Sequence, residues 1–138
     1  MMSDLLWVAL GGGLGSLARF GITRVFSYAP AAYDILAINL LGSFIMGALI
    51  LWSSAHRQRG RLFLGVGVLG GFTTFSTFVL NMQVLAAGSG LIGALGYGVG
   101  GLMGGLAACA AGAFCMNLWY KFSDSPLESQ GAEDEDVL

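Results

Sequence analysis

The sequence predicts an all-α membrane protein of four transmembrane helices, the third of them broken, and completed by a second copy as an antiparallel dimer. Three observations carry this prediction. The chain of 138 residues is 56% hydrophobic and 10% charged, with a mean hydropathy of +0.77, which lies outside the range of soluble domains. It divides into four apolar runs, Leu5 to Phe26, Ile35 to Trp52, Leu62 to Ala87 and Leu91 to Tyr120, each near the roughly 20 residues that span hydrocarbon. The third run is interrupted at Gly70 to Phe78, GGFTTFSTF, by adjacent glycines and by the hydroxyls of Thr73, Thr74, Ser76 and Thr77.

Strands of a membrane barrel would be about ten residues long with strict alternation, a pattern this chain lacks. The first run has no basic segment before it and no small-residue cleavage site, so it is expected to be retained as a helix. The membrane domain is expected over residues 1–122. Residues 123–138 hold Asp124, Glu128, Glu133, Asp134, Glu135 and Asp136 and have the composition of a disordered acidic tail. That tail conceals a cationic membrane part: between Leu5 and Tyr120, five arginines stand against Asp34 alone.

In the first run Gly11 and Gly15 form a small-xxx-small pair that lets another helix approach closely. Arg19 lies one turn further on the same face. It either snorkels to an interface or keeps a mouth electropositive for an anion; Arg24 is interfacial. In the second run Asn39, Ser43 and Gly47 make one polar and small stripe at spacing four. Such an asparagine is either glue between helices, worth about 1 kcal/mol or less, or a lining group that offers donors without charge. The stripe favours lining.

His56 stands beside Arg57, Arg59 and Arg61 in a connecting loop and reads as a solvated side chain. The third run then predicts two half-helices around a break. In lipid every backbone polar group needs a partner, so such an interruption is tolerated only against protein or a polar cavity. Spacing of three puts Phe75 and Phe78 on one face of the second half, with Ser76 and Thr77 beside them. In the fourth run Gly96, Gly100, Gly104, Ala108 and Gly112 make a row at spacing four, expected to be a helix-packing seam. Cys109 and Cys115 are six apart, on different faces of that helix, and read as packing residues.

Four spans put both termini on one side with the loop between the second and third. Arg57, Arg59, Arg61 and Lys121 fall on that side and Arg19 and Arg24 on the other, a weak bias that controls orientation poorly. Transporters often build a midplane site from two inverted halves with broken helices at the axis. No internal repeat occurs here, so the missing half would be an inverted second copy. The two Gly70 breaks would then meet, and their freed carbonyls could jointly hold a cation.

Neither Ile35 to Trp52 nor Leu62 to Tyr120 contains an acid or a lysine, and the sequence shows no nucleophile with a base, no metal-ligand cluster and no nucleic-acid or nucleotide motif. These absences argue against an enzyme. The path offers amides, hydroxyls and aromatic rings. Ring edges carry partial positive charge, so Phe75 and Phe78 turned edge-on would solvate an anion weakly, as conduction requires.

Together, GGFTTFSTF, the GGGLGSLARF of the first run and the INLLGSF of the second resemble the CrcB/Fluc family of microbial fluoride channels, and the likeness runs over residues 5 to 120. It implies a dual-topology dimer with two antiparallel pores in the cell membrane, conducting fluoride passively, excluding chloride and protecting against fluoride toxicity, with a structural sodium ion at the dimer centre. By motif position it implies Asn39 as the pore asparagine, Phe75 and Phe78 as the fluoride-coordinating pair, and the carbonyls of Gly70 and Thr73 as sodium ligands. Ser76 and Thr77 match a hydroxyl track, Arg19 the first-span arginine near the mouth, and Tyr97 a pore tyrosine.

One departure stands out: the family tends to place hydroxyls on the fourth span around Gly105 and Cys109, and here no Ser or Thr occurs between Leu91 and Tyr120. Backbone, thiol and water take over, or one end of the pore conducts differently, or a paralogue in a heterodimer supplies the hydroxyls. The alternative readings are a coupled small-ion or small-substrate transporter, which needs a titratable group in the membrane, and a non-conducting scaffold.

Overall fold

Without water to satisfy the backbone, apolar runs in a bilayer must close their hydrogen bonds internally. The computed structural model describes residues 2–25, 31–53 and 58–123, and these are helical apart from Thr73 and Thr74. Helix α1 (Met2–Val25) carries Asp4 in its first turn and Arg24 in its last, the signs that complement a helix dipole. The Arg24 guanidinium lies 5.1 Å from the centroid of the Phe20 ring. Helix α2 (Ala31–Ser53) has one acid, Asp34, in its first turn. His56, Arg57 and the acidic residues from Asp124 onward lie outside the described residues.

The third run departs from the expected pair of α half-helices. A turn of helix, α3 (Gln58–Gly60), leads into a π-helix, π1 (Arg61–Leu69), and then into a turn, α4 (Gly70–Phe72). After Thr73 and Thr74 comes α5 (Phe75–Ser123). A π-helix usually lasts one turn because its geometry is costly; here it lasts nine residues. What compensates is packing from outside. The glycine pair of α1 lies directly on π1 and α4: a Cβ at Gly11 would sit 2.9 Å from Val68 N, and one at Gly15 would sit 2.9 Å from Val68 C and 2.8 Å from Phe72 N. Trp7 closes the seam with an edge-on contact to Phe63 at 5.8 Å. Gly11 and Gly15 thus serve the close approach expected of them, and the partner is this chain's own third segment.

Helix α5 folds back at Gly90, whose φ of 80° and ψ of 174° belong to a region open in practice only to glycine. Gly101 faces Phe78 and Gly98 faces Met82; residue numbers fall on one half as they rise on the other, so the halves run antiparallel. Among the described residues, three segments are long and apolar enough to cross a membrane: Asp4–Val25, Ala32–Trp52 and the folded Arg61–Ser123.

The core lies beside the break. Ile35 and Ile38 of α2 pack with Phe72 and Phe78, which flank the break on either side. No large side chain is fully buried among the described residues, and many apolar ones are exposed. A single chain therefore buries too little to stand alone in water.

The expected glycine row on the second half of α5 is only partly a seam. Gly104 and Gly112 meet Leu40 and Phe44 of α2, whereas Gly96 and Gly100 have nothing within 4 Å. With 3.6 residues per turn, a spacing of four drifts by about 40° per step. Over the four steps of the row it turns about 160° around the helix, so the row cannot stay on one partner.

Candidate functional site

The break between α4 and α5 is held by one side chain. Thr73 N–H still donates to Leu69 C=O at 2.9 Å, closing the last turn of α4, and Thr73 Oγ1 donates to the same carbonyl at 2.8 Å. At Thr73 the backbone becomes extended, φ −78° and ψ 156°. Had the helix continued, Thr74 N–H would have gone to Gly70 C=O. Instead it donates to Asn39 Oδ1 at 2.9 Å, while Asn39 Nδ2 donates to Thr74 C=O at 3.1 Å. A primary amide presents a donor and an acceptor side by side, as a peptide does. Asn39 thus replaces the missing turn with a two-point bond, and Thr74, 7% exposed, is satisfied without water.

Thr74 is also the N-cap of α5. Its Oγ1 accepts from Thr77 N–H at 3.3 Å, the bond that a threonine makes at the start of a helix, and shares hydroxyl contacts with Ser76 at 3.2 Å and Thr77 at 3.0 Å. The sequence argument singled out Ser76 and Thr77 and missed Thr74. The available signal was a threonine placed immediately before a helix start.

Beside the break lies a cavity of 440 Å³ lined by Asn39, Ser43 and Met46 of α2, by Gly70, Thr73 and Thr74, and by residues of both halves of α5, including Phe75, Phe78, Gly101, Gly105 and Cys109. No acid and no base is among its lining residues. The donors present are amides, hydroxyls and a thiol, and the N-terminus of α5, the positive end of its dipole, opens at the cavity. Such a space suits an anion that must enter and leave, because no fixed charge traps it.

The two phenylalanines sit at different depths. Their ring centroids are 6.2 Å apart with planes at 31°, so the spacing of three does put them together. Phe78 is packed, at 5% exposed, and Phe75 projects, at 72% exposed. Ser16 Oγ of α1 donates to Gly71 C=O at 3.4 Å. Release of Thr74 N–H leaves the Gly70 carbonyl, at the C-terminal end of a helical turn, without its helical donor, and extension at Thr73 turns the Thr73 carbonyl out of helical register. Nothing lies within 4 Å of the position a Gly70 Cβ would take. Neutral, unwound carbonyls of this kind are the donors sodium takes in membrane proteins, so the residues fit that ion.

Four expected residues do not line this cavity: Arg19, Ser76, Thr77 and Tyr97. Arg19 is half-buried on α1. Tyr97 stands behind Phe78, its ring stacked at 4.9 Å and its hydroxyl donating to Ala32 C=O at 2.9 Å. Ser43 lies across from Gly105 on a stretch of α5 without Ser or Thr, its Oγ 3.5 Å from where a Cβ of Gly105 would stand.

Residues 6–113 match a family described as CrcB-like protein, Camphor Resistance (CrcB). Among curated relatives, a protein of Gloeobacter violaceus named fluoride-specific ion channel FluC is 42% identical over 118 residues, covering 81% of this chain and 94% of the relative. Proteins of the same name from Cereibacter sphaeroides, 42% identical over 119 residues with 78% and 95% covered, and from Thermus thermophilus, 43% identical over 110 residues with 76% and 88% covered, are similar to it as well.

Proposed function

The chain belongs to the CrcB family of multi-pass membrane proteins, and on that premise we propose that it is a fluoride-specific ion channel, not an enzyme. It lets cytoplasmic fluoride leave the cell passively and so relieves fluoride toxicity. The observation that carries this reading is the uncharged cavity lined by Phe75, Phe78 and the Asn39-buttressed break. Hydrogen fluoride enters cells neutral and dissociates where the medium is less acidic, which strands the ion. A passive anion pore reverses this, because a negative membrane potential drives an anion outward by about 2.3 kcal/mol per 100 mV. A coupled transporter would need a carboxylate, histidine or lysine along the path, and the cavity lining holds none.

The working unit in this proposal is an antiparallel homodimer in the cell membrane, each chain crossing four times with the turn at Gly90 joining the last two. What supports it is the exposure of Phe75 and Ser76, the open space at Gly70, and the weak charge bias of the ends. In the dimer the carbonyls of Gly70 and Thr73 from both copies would hold a sodium ion, which supplies a fixed positive charge near the two pathways and costs no side chain. Asn39, Ser43, Phe75 and Phe78 would line each pathway, Ser76 and Thr77 would extend it, and Arg19 would raise the potential at a mouth. Ser43 of α2 supplies a hydroxyl beside Gly105, where α5 has no Ser or Thr, which favours the homodimer over a heterodimer with a paralogue.

Fluoride efflux from liposomes, driven by a potassium gradient with valinomycin, tests the reading with wild type beside Phe75→Ile and Phe78→Ile. Wild type is expected to empty the vesicles, and at least one variant to lose nearly all flux while eluting as a dimer. Wild-type flux in both variants removes the rings from the mechanism, and no wild-type flux removes the channel. Orientation is read in the same preparation: Ser89→Cys, in a background of Cys109→Ala and Cys115→Ala, should react with an impermeant maleimide from both sides of the membrane.

A further inference from the structure

Phe78 is held by two residues one turn apart on the second half of α5. Tyr97 stacks on its ring with centroids 4.9 Å apart and planes at 29°, and the tyrosine is itself tied to α2 by the bond from its hydroxyl to the Ala32 carbonyl at 2.9 Å. At Gly101 a Cβ would stand 2.5 Å from Phe78 Cε2 and 2.8 Å from Cζ, so any side chain there must push the ring away. Phe78 and Gly101 face the cavity and Tyr97 does not. Phe75 has no comparable clamp.

The orientation of an aromatic ring decides what an anion meets. The edge of the ring is partially positive and the face partially negative. Phe78 lines the cavity of 440 Å³, and a quarter turn of its ring would replace attraction with repulsion. Stacking against a second ring fixes the plane. The hydroxyl tether keeps that second ring from following, since a tyrosine in apolar surroundings holds the rotamer that satisfies its O–H.

We propose that Tyr97 is a positioning residue for conduction, which with the clearance at Gly101 fixes the ring plane of Phe78 so that its edge is turned to the anion. This rests on the fluoride-channel reading. It assigns Tyr97 a place behind the pathway, acting through Phe78.

The test is the initial rate of fluoride efflux per folded molecule, with folded protein counted by gel filtration and thermal unfolding, for Tyr97→Phe, Tyr97→Leu and Gly101→Ala. Tyr97→Leu, which removes the stacked ring, and Gly101→Ala, which displaces Phe78, are each expected to lower the rate about tenfold or more. Tyr97→Phe keeps the ring and loses the tether, and is expected to fall between these and wild type. If Tyr97 merely ties α2 to α5, its variants will fold less well while each folded molecule conducts as wild type, which overturns the proposal. Should Tyr97→Leu fail to fold, Tyr97→Phe and Gly101→Ala decide, and wild-type rates in both overturn it. Absence of flux in wild type sinks the channel reading itself, a different result from wild-type flux that no variant changes.

Discussion

The two halves of this molecule use glycine for opposite ends. Between α1 and π1 the glycines remove space: Gly11, Gly15 and Gly67 bring backbone against backbone, so that a Cβ at Gly67 would lie 2.9 Å from Gly11 Cα. Between α2 and the second half of α5, Gly47 and Gly112 still meet main chain at Cys109 and Phe44, but nearer the break glycines create space: Gly101 and Gly105 stand on a cavity wall, beside a ring and a hydroxyl in place of a backbone. One contact is a weld and the other an opening. The difference teaches that glycine content alone does not tell a packing seam from a pathway wall. What tells them apart is whether the neighbour is main chain, which cannot yield, or a side chain that needs the room.

The comparison breaks most visibly at the weld. Gly15→Leu puts a side chain into Val68 C=O and Phe72 N, where only movement of a whole helix makes room. Overpacking of a tight core costs about 1–3 kcal/mol or more, and this chain has little buried surface to offset it. No folded protein is expected in detergent extracts. Gly13→Ala, two residues away with nothing within 4 Å, should be recovered like wild type. Equal recovery of both variants would show that the seam does not hold π1 in place.

The next effect sits where the two halves meet. Asn39→Ala removes both bonds to Thr74. The Thr74 carbonyl keeps its helical donor in α5, but the N–H is left alone in a buried position, at a cost of about 1–3 kcal/mol. The break is then free to close by giving that N–H to Gly70, which would straighten the helix and erase the site. The expected outcome is a lowered unfolding temperature together with loss of most fluoride flux. Asn39→Asp keeps the acceptor for Thr74 N–H, so it should restore some stability while its charge, facing the cavity, still abolishes flux. An Asp variant that conducts normally would mean that the anion does not pass this side chain.

Much of this was legible in the sequence, for identifiable reasons. Side-chain chemistry announced the break, because glycines and hydroxyls have no business in mid-membrane without a partner, and the stripe of Asn39, Ser43 and Gly47 does face α5 and the break. The seam at Gly11 and Gly15 was legible because short spacing keeps residues on one face. What depends on backbone register was not. A π-helix has no distinctive residue pattern, and π1 shows only in its hydrogen bonds. The long glycine row from Gly96 to Gly112 misled, because drift accumulates over four steps. Asn39 presented a choice between glue and lining, and the structure makes it both: its bonds go to Thr74, and its side chain remains on the cavity wall. Tyr97 and Phe78 are 19 residues apart, a pairing set by the fold at Gly90, which no local spacing encodes.

The smallest effect sharpens the comparison at the opening. If the second half of α5 is a wall that yields space, then Gly105→Ser should be accepted, since its Cβ would meet Ser43 Oγ at 3.5 Å, an ordinary contact. A surface-like change of this kind is usually within about 0.5 kcal/mol, so stability should hardly move and flux should stay near wild type. Ser43→Ala removes the hydroxyl from the other side and is expected to lower flux by a few fold, roughly the worth of one hydrogen bond. The informative variant is the double one. With Ser43→Ala and Gly105→Ser together, the hydroxyl has crossed the cavity from α2 to α5 while staying in the same space. If the pathway needs a hydroxyl there and is indifferent to which helix carries it, the double variant should recover most of the flux lost by Ser43→Ala. If flux stays at the level of the single variant, the direction of the O–H from α2 matters, and the lack of Ser and Thr on the second half of α5 around Gly105 is then a requirement of this channel's own geometry.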